Sequence, residues 1–136
     1  MRQTEAQLQE QIADYLRLRY PTVLFHSDTA SISRLTPYQG QMRKRQNGGR
    51  RGWPDMFIAE PRGYNTATGQ MEVAGLFLEL KAEGVRLKKK DGSWVNEHIA
   101  EQAAVLKELE ERGYVAKFAV GFFEAKKIID DYLGGK

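Results

Sequence analysis

Apolar residues recur every three or four positions in three segments of the chain, which is the spacing of one face of an α-helix. In the first segment Leu8, Ile12 and Leu16 follow this spacing. Thr4 and Gln7 precede them in the arrangement of a capping box, which satisfies free backbone N–H groups at a helix N-terminus. The three segments predict helices over residues 4–19, 96–112 and 123–133.

Short runs of β-branched, aromatic and other apolar residues lie between these helices and are typical of buried strands. The strands predicted in this way cover residues 23–25, 56–59, 74–81 and 115–120. The second and third are expected to pair as an antiparallel hairpin, with residues 61–70 as a long turn between them. The resulting order α-β-β-β-α-β-α predicts an α/β fold with a central mixed β-sheet flanked by helices.

Length and composition limit the class of protein. A chain of 136 residues is long enough for one hydrophobic core, so a single domain over residues 1–136 is expected. With no cysteine, a disulfide framework, a thiolate zinc site and a cysteine nucleophile are excluded. The N-terminus lacks the pattern of a signal peptide, and no apolar run reaches the roughly 18 residues that span a bilayer. The sequence therefore predicts a cytoplasmic protein with no membrane partner.

Positive charge is concentrated in two parts of the chain. The polar stretch from Ser27 to Gly52 is long for a loop, and its composition favours a phosphate-contacting loop that becomes ordered on binding. Residues 29–54 contain six arginines or lysines and no acid. A nucleic acid partner is favoured over ordinary solvated loops, because acids and bases are segregated along the chain. The predicted backbone contacts are Arg43, Lys44, Arg45, Arg50, Arg51, Lys88, Lys89 and Lys90.

Two carboxylates and a lysine mark the second and third predicted strands. Asp55 follows a proline at the head of one strand, while Glu79 and Lys81 lie two residues apart on the next and so share a face. Mg²⁺ prefers oxygen ligands, and these carboxylates with the main-chain carbonyl of Leu80 would make a partial shell. Lys81 would orient or help deprotonate an attacking water. The alternatives are an aspartate that caps a turn and an ordinary Glu-Lys pair on a strand.

Two further polar residues lie on helix faces that should be apolar. Glu5 shares the face of Leu8 and Ile12, although an acid in the first turn is also favoured by the helix dipole. Gln102 lies on the apolar stripe of the second helix, where an amide needs partners. It either supports the site or is a hydrogen-bonded core glutamine.

Several residues near these motifs have no assigned role. Trp53 and Trp94 lie beside the basic segments and can stack on an unpaired base, but large aromatics next to turns are more often at the edge of the core. His26, Asp28 and His98 are expected close to the carboxylates, and the sequence does not establish their function.

The string Gly52-Trp53-Pro54-Asp55, the triplet Glu79-Leu80-Lys81 and the downstream Gln102 resemble the PD-(D/E)xK nuclease superfamily. Within it they resemble VRR-NUC (virus-type replication-repair nuclease) domains, in particular small stand-alone forms from phages and bacteria. The resemblance extends from Glu5 to the last helix. The PD-(D/E)xK pattern alone is loose, whereas its combination with Gly-x-Pro-Asp and the glutamine on a helix is much more specific.

The resemblance implies a restriction-endonuclease-like core and a metal-dependent DNA endonuclease. Asp55, Glu79, the Leu80 carbonyl and Glu5 would then hold one or two Mg²⁺ or Mn²⁺ ions, with Lys81 and Gln102 completing the catalytic set. It further implies a homodimer that acts on branched DNA, such as four-way junctions, in repair or recombination in a bacterial or phage-infected cell. The alternatives are an RNA- or tRNA-processing nuclease on the same fold and a non-catalytic nucleic-acid-binding module.

Overall fold

The computed structural model describes residues 2–28 and 36–134. Helices and strands follow one another in a mixed order. They are α1 (Glu5–Arg19), β1 (Phe25–Ser27), α2 (Pro37–Gln46), β2 (Met56–Ile58), β3 (Arg62–Asn65), β4 (Gln70–Val73), β5 (Leu76–Lys81), α3 (Glu97–Glu111), β6 (Val115–Val120) and α4 (Phe122–Leu133). None of the helices in the described ranges is long and apolar enough to cross a membrane.

The central sheet has four strands in the order β1-β2-β5-β6. β1 pairs with β2 and β2 with β5 in antiparallel fashion, whereas β5 and β6 are parallel and are joined through α3. The predicted mixed sheet flanked by helices is confirmed, as is the antiparallel pairing of the strands that follow Asp55 and contain Glu79. A separate two-stranded sheet consists of β3 and β4.

Helices cover both faces of the central sheet. Leu78 and Leu80 of β5 point to one face, where they form a cluster with the buried residues of α1 and α4. Phe77 points to the other face and packs against the apolar side of α3. Because side chains alternate along a strand, Glu79 and Lys81 lie on the same face as Phe77. The predicted catalytic residues of β5 therefore lie on the α3 side of the sheet.

The segment from Ser27 to Gly52 differs from the long loop that its composition predicts. Residues 37–46 form α2, and only residues 29–35 of the segment lie outside the described ranges. Thr36 and Gln39 form a capping box at its start, with Pro37 in the first turn. None of the residues of α2 is buried, so the helix has no apolar periodicity to reveal it. Only the capping residues in the sequence mark its start.

Two other predictions are corrected. In place of the turn predicted over residues 61–70, β3 and β4 form a hairpin that extends to Val73. Its residues are mostly exposed and so lack the apolar alternation of a buried strand. The strand predicted at residues 23–25 begins instead at Phe25 and lies on the edge of the sheet. Leu24, which was expected to be buried, is 74% exposed.

Candidate metal centre

Asp55 is held at the junction of two strands. It directly precedes β2, and its Oδ2 accepts a hydrogen bond of 2.8 Å from the backbone N–H of Leu80 in β5. Its main-chain carbonyl accepts a second bond, of 2.7 Å, from the N–H of Asp28 just after β1. The carboxylate therefore has a fixed position against β5, as expected for a residue at the head of the neighbouring strand.

The main-chain carbonyl of Leu80 faces the same region. Lys81, the next residue, directs its carbonyl toward β6 and accepts a hydrogen bond of 2.9 Å from the Gly121 N–H. Because successive carbonyls of a strand point to opposite sides, that of Leu80 points toward β2. Leu80 lies two residues beyond the last pair of β2 and β5, Met56 with Leu78, and the same step back along the chain from Met56 reaches Pro54. A proline has no N–H to donate, so this carbonyl is suited to a cation instead.

Glu79 and Lys81 are buried together. Their side chains are 3% and 7% exposed, and Lys81 Nζ lies 3.7 Å from Glu79 Oε2. Glu79 Oε1 has no hydrogen-bond partner among the described residues. Burial, followed by repulsion from the Asp55 carboxylate, raises the pKa of Glu79, and burial also raises the pKa of Asp55. A buried and a half-buried carboxylate beside one lysine lack compensating positive charge, which a divalent cation would supply.

Glu5 completes a cluster of three carboxylates. One oxygen from each of Glu5, Asp55 and Glu79 can be chosen so that all three lie within 4.8 Å of one another. Glu5 reaches this place from the first turn of α1, although it is an exposed residue. Carboxylate oxygens, a main-chain carbonyl and a buried oxygen without a partner fit a hard divalent cation such as Mg²⁺ or Mn²⁺. The structure thus brings these three predicted residues together.

Gln102 lies beside this cluster on α3 and is 6% exposed. Its Nε2 is 3.3 Å from Nε2 of His98, one turn earlier, and its Oε1 is without a hydrogen-bond partner in the part of the chain that the structure describes.

Gly52 explains how the Gly-x-Pro-Asp segment reaches α3. It has a φ of 85°, and a Cβ there would lie 3.1 Å from the backbone of Gln102. A larger residue would therefore push this segment away from α3.

A cleft of about 1000 Å³ opens over the carboxylates, with α2 and the segment after it as one wall. Four of the predicted phosphate contacts line it, namely Arg43, Lys44, Arg50 and Arg51. Two of these already have acidic partners, since Arg43 lies 3.4 Å from Asp28 and Arg50 pairs with Glu108 on α3. The other predicted contacts, Arg45, Lys88, Lys89 and Lys90, are not among the residues that line the cleft.

The two tryptophans have different surroundings. Trp94 is half-buried, with its ring centroid 5.7 Å from that of Phe118 and 4.8 Å from Lys88 Nζ, as expected at the edge of the core. Trp53 lines the cleft and is 43% exposed. Its position beside the carboxylates therefore favours a contact with the substrate over a purely structural role.

Gln9 is a residue that the sequence reading missed. It is 7% exposed on α1, and its Nε2 donates a hydrogen bond of 2.8 Å to the carbonyl of Asp28. Because the Asp28 N–H in turn bonds the carbonyl of Asp55, Gln9 supports the backbone beneath the carboxylates. The feature of the sequence that could have revealed Gln9 is its position next to Leu8, on the face of the helix that is predicted to be buried.

Comparisons with known proteins bear on the fold. No protein-family model matches the sequence, and no curated protein matches it either. A solved structure described as a VRR_NUC domain protein is similar over 98% of this chain and 91% of its own chain, with a TM-score of 0.63 and 19% sequence identity. This similarity confirms the fold that the sequence motifs imply: the chain has the architecture of a VRR_NUC domain protein.

Proposed function

We propose that the protein is a nuclease that uses Mg²⁺ or Mn²⁺ to hydrolyse phosphodiester bonds within DNA, and that it acts as a homodimer on branched DNA such as four-way junctions. The observation that carries this proposal is the set of three carboxylates within 4.8 Å of one another, beside a buried lysine. A basic helical wall faces them across the cleft. This arrangement combines a cation site with a surface for phosphates.

The residues of the cleft divide the chemistry between them. Asp55, Glu79, Glu5 and the Leu80 carbonyl would hold one or two cations, and Asp55 is kept in place by its bond from the Leu80 N–H. When bound, the cation supplies Lewis-acid polarisation of the phosphate and lowers the pKa of a water.

Lys81 and Gln102 are placed to act on the reacting groups. The Lys81 ammonium lies on the same face as Glu79, where it can hold the attacking water in line and stabilise negative charge that develops on the phosphate. The Gln102 amide has a buried oxygen without a described partner, which can accept a hydrogen bond from that water and orient it. In hydrolysis the water oxygen forms a bond to phosphorus and gives its proton to solvent. The bond from phosphorus to the leaving oxygen breaks, and that oxygen takes a proton from solvent.

Lys44 and Arg51 are suited to contact backbone phosphates, because both line the cleft and both are exposed. Arg43 and Arg50 can contribute once phosphates compete with Asp28 and Glu108 for them. The choice of DNA, the branched substrate and the homodimer are supported by the resemblance of the motif set to VRR-NUC domains. We extend the same proposal to a single nuclease domain over residues 1–136, located in the cytoplasm.

The test is a cleavage panel with single strands, linear duplex, flaps, four-way junctions and structured RNA, each with Mg²⁺, Mn²⁺ or a chelator. Cutting of branched DNA that requires a cation and is lost in Glu79→Gln is expected. Glu72→Gln, an exposed acid on β4, is the matched control and should cut normally. Selective cutting of RNA would replace the proposed substrate, and no cutting of any substrate with either cation would refute the nuclease.

A further inference from the structure

A second cavity of about 290 Å³ adjoins the cleft on the same face of the sheet. The strand register puts His26, Phe57 and Phe77 in one row across β1, β2 and β5. The apolar cluster beneath α3 draws on β5 and β6 at Phe77 and Phe118. His26 and Phe57, which lie in this row on β1 and β2, therefore line the cavity instead of packing against α3.

The surface of this cavity is aromatic with a polar rim. The rings of Phe57 and Phe77 are stacked with their centroids 4.4 Å apart, and the Trp53 ring lies 6.4 Å from Phe77. Arg43 at the end of α2 and Asn47 just after it lie on the other side. Flat apolar walls with a few hydrogen-bonding groups at one edge are the surroundings that a nucleobase needs, because its faces stack and its edge carries donors and acceptors.

The cavity is continuous with the carboxylate cluster. Five residues line both it and the main cleft, namely Asp28, Arg43, Asn47, Trp53 and Asp55. A base in the cavity and a phosphate at the carboxylates would therefore belong to the same stretch of one strand. This placement, together with the exposed Trp53, distinguishes the cavity from a gap in the core.

We infer that this cavity binds an unpaired nucleobase next to the phosphate that is cut. We name it the aromatic pocket; it is formed by His26, Trp53, Phe57 and Phe77, with Asn47 and Arg43 at its rim. A base in a duplex is stacked on both faces and paired along its edge, so it must leave the helix to enter such a pocket. Extrusion costs least where a nucleotide is already unpaired, as at a branch or single-strand end. The pocket would thus select strands with an unpaired nucleotide at the cut, and in this respect it rests on the proposed function.

Binding to the pocket can be measured without cleavage. The probe is a forked DNA duplex with 2-aminopurine as the first unpaired nucleotide of one arm, and a second fork carries it on the other arm. Ca²⁺ replaces Mg²⁺ so that the complex forms without turnover. Stacking on Trp53 should quench the fluorescence of one of the two forks, whereas a linear duplex with paired 2-aminopurine should be unaffected. Trp53→Ala should abolish the quenching, and Tyr64→Ala, an exposed aromatic on β3, should retain it.

The second measurement changes the substrate instead of the protein, so it does not depend on the folding of the Trp53 variant. Replacing the quenched nucleotide with an abasic site should lower kcat/KM of the unaltered protein about tenfold, which is the size expected for loss of one stacked base. In Trp53→Ala, provided that it unfolds at the normal temperature, the same replacement should have no further effect.

Quenching in neither fork, or an abasic site with no effect on the unaltered protein, would overturn the pocket. These results are distinguishable from failure of the nuclease proposal. Quenching without cleavage in Mg²⁺ or Mn²⁺ would support the pocket and refute the nuclease. Cleavage at a rate that does not change when the base is removed would support the nuclease and refute the pocket.

Discussion

Glu79→Gln should stabilise the protein in the absence of divalent cations and destabilise it, relative to the unaltered chain, in their presence. Glu79 is 2% exposed, and its Oε1 has no partner among the residues that the structure describes. Removing its charge relieves repulsion from Asp55 but also ends the attraction of Lys81, 3.7 Å away. A buried amide costs less than a buried carboxylate beside another one, so after the loss of the Lys81 attraction we expect a net gain of about 1 kcal/mol in the free energy of unfolding.

The unaltered protein should gain more than this once a cation binds. A ligand at a hundred times its dissociation constant stabilises the folded state by about 2.7 kcal/mol. The amide introduced by Glu79→Gln cannot replace the carboxylate as a ligand, so the variant should gain much less. For a chain of this size 1 kcal/mol corresponds to about 4 °C in Tm. The order of the two Tm values should therefore reverse between chelator and saturating Mn²⁺.

The assay is thermal unfolding followed by circular dichroism, in chelator and in a series of Mn²⁺ concentrations. Glu72→Gln serves as the control for loss of one negative charge, since Glu72 is exposed on β4. The contrary result is a lower Tm for Glu79→Gln in chelator together with an equal response of both proteins to Mn²⁺. That pattern would mean that Glu79 is satisfied in the folded protein and takes no part in cation binding.

Three further outcomes follow from other contacts. Burial alone would raise the pKa of Asp130, but hydrogen bonds from Lys126, Tyr15 and Tyr20 lower it to about 2. The stabilisation from the Asp130 carboxylate is therefore present above the ordinary aspartate pKa of about 3.9 and is lost as the pH falls toward 2. In urea unfolding, Asp130→Asn should cost about 1–2 kcal/mol at pH 7 and much less at pH 2. Equal costs at both pH values would contradict this. Gly52 has a φ of 85°, and a Cβ there would lie 3.1 Å from the α3 backbone, so Gly52→Ala should lower both Tm and cation affinity. Gly92 has a φ of 88° but open space around it, so Gly92→Ala should lower Tm alone. Replacing both Lys44 and Arg51 with alanine should reduce the slope of log affinity for duplex DNA against log salt by about 2 in fluorescence anisotropy titrations. Replacing Lys89 and Lys90, which do not line the cleft, should leave this slope unchanged.

The elements that the sequence predicted well are those whose residues alternate between buried and exposed positions. α1, α3, α4 and β6 carry clear apolar periodicity, and each lies within about two residues of its predicted bounds. The carboxylates were predictable for a related reason, because Glu79 interrupts an apolar strand and Asp55 follows a proline at the head of its neighbour. Their convergence required only that the two strands pair.

The features that the sequence did not predict depend on polar contacts or on distant neighbours. α2 has no buried residue, so only its capping box marked it. The support of Gln9 for Asp28, and the pairing of Arg50 with Glu108, join residues that are far apart in the chain. The aromatic pocket depends on the register of three strands, which local patterns do not determine when the strands are this short.

The measurement that tests the central claim most directly is the rate at which Asp55→Asn cuts a four-way junction in Mn²⁺. The asparagine oxygen can still accept the bond from the Leu80 N–H, so the variant should fold normally while losing a negatively charged ligand. Asp131→Asn, at an exposed site on α4, is its matched control. Outer-shell partners of a metal cost about 10–100-fold when removed, so loss of a direct ligand should lower the rate by at least about 100-fold. A junction cut by Asp55→Asn as fast as by Asp131→Asn, or cut equally well in chelator, would contradict the account.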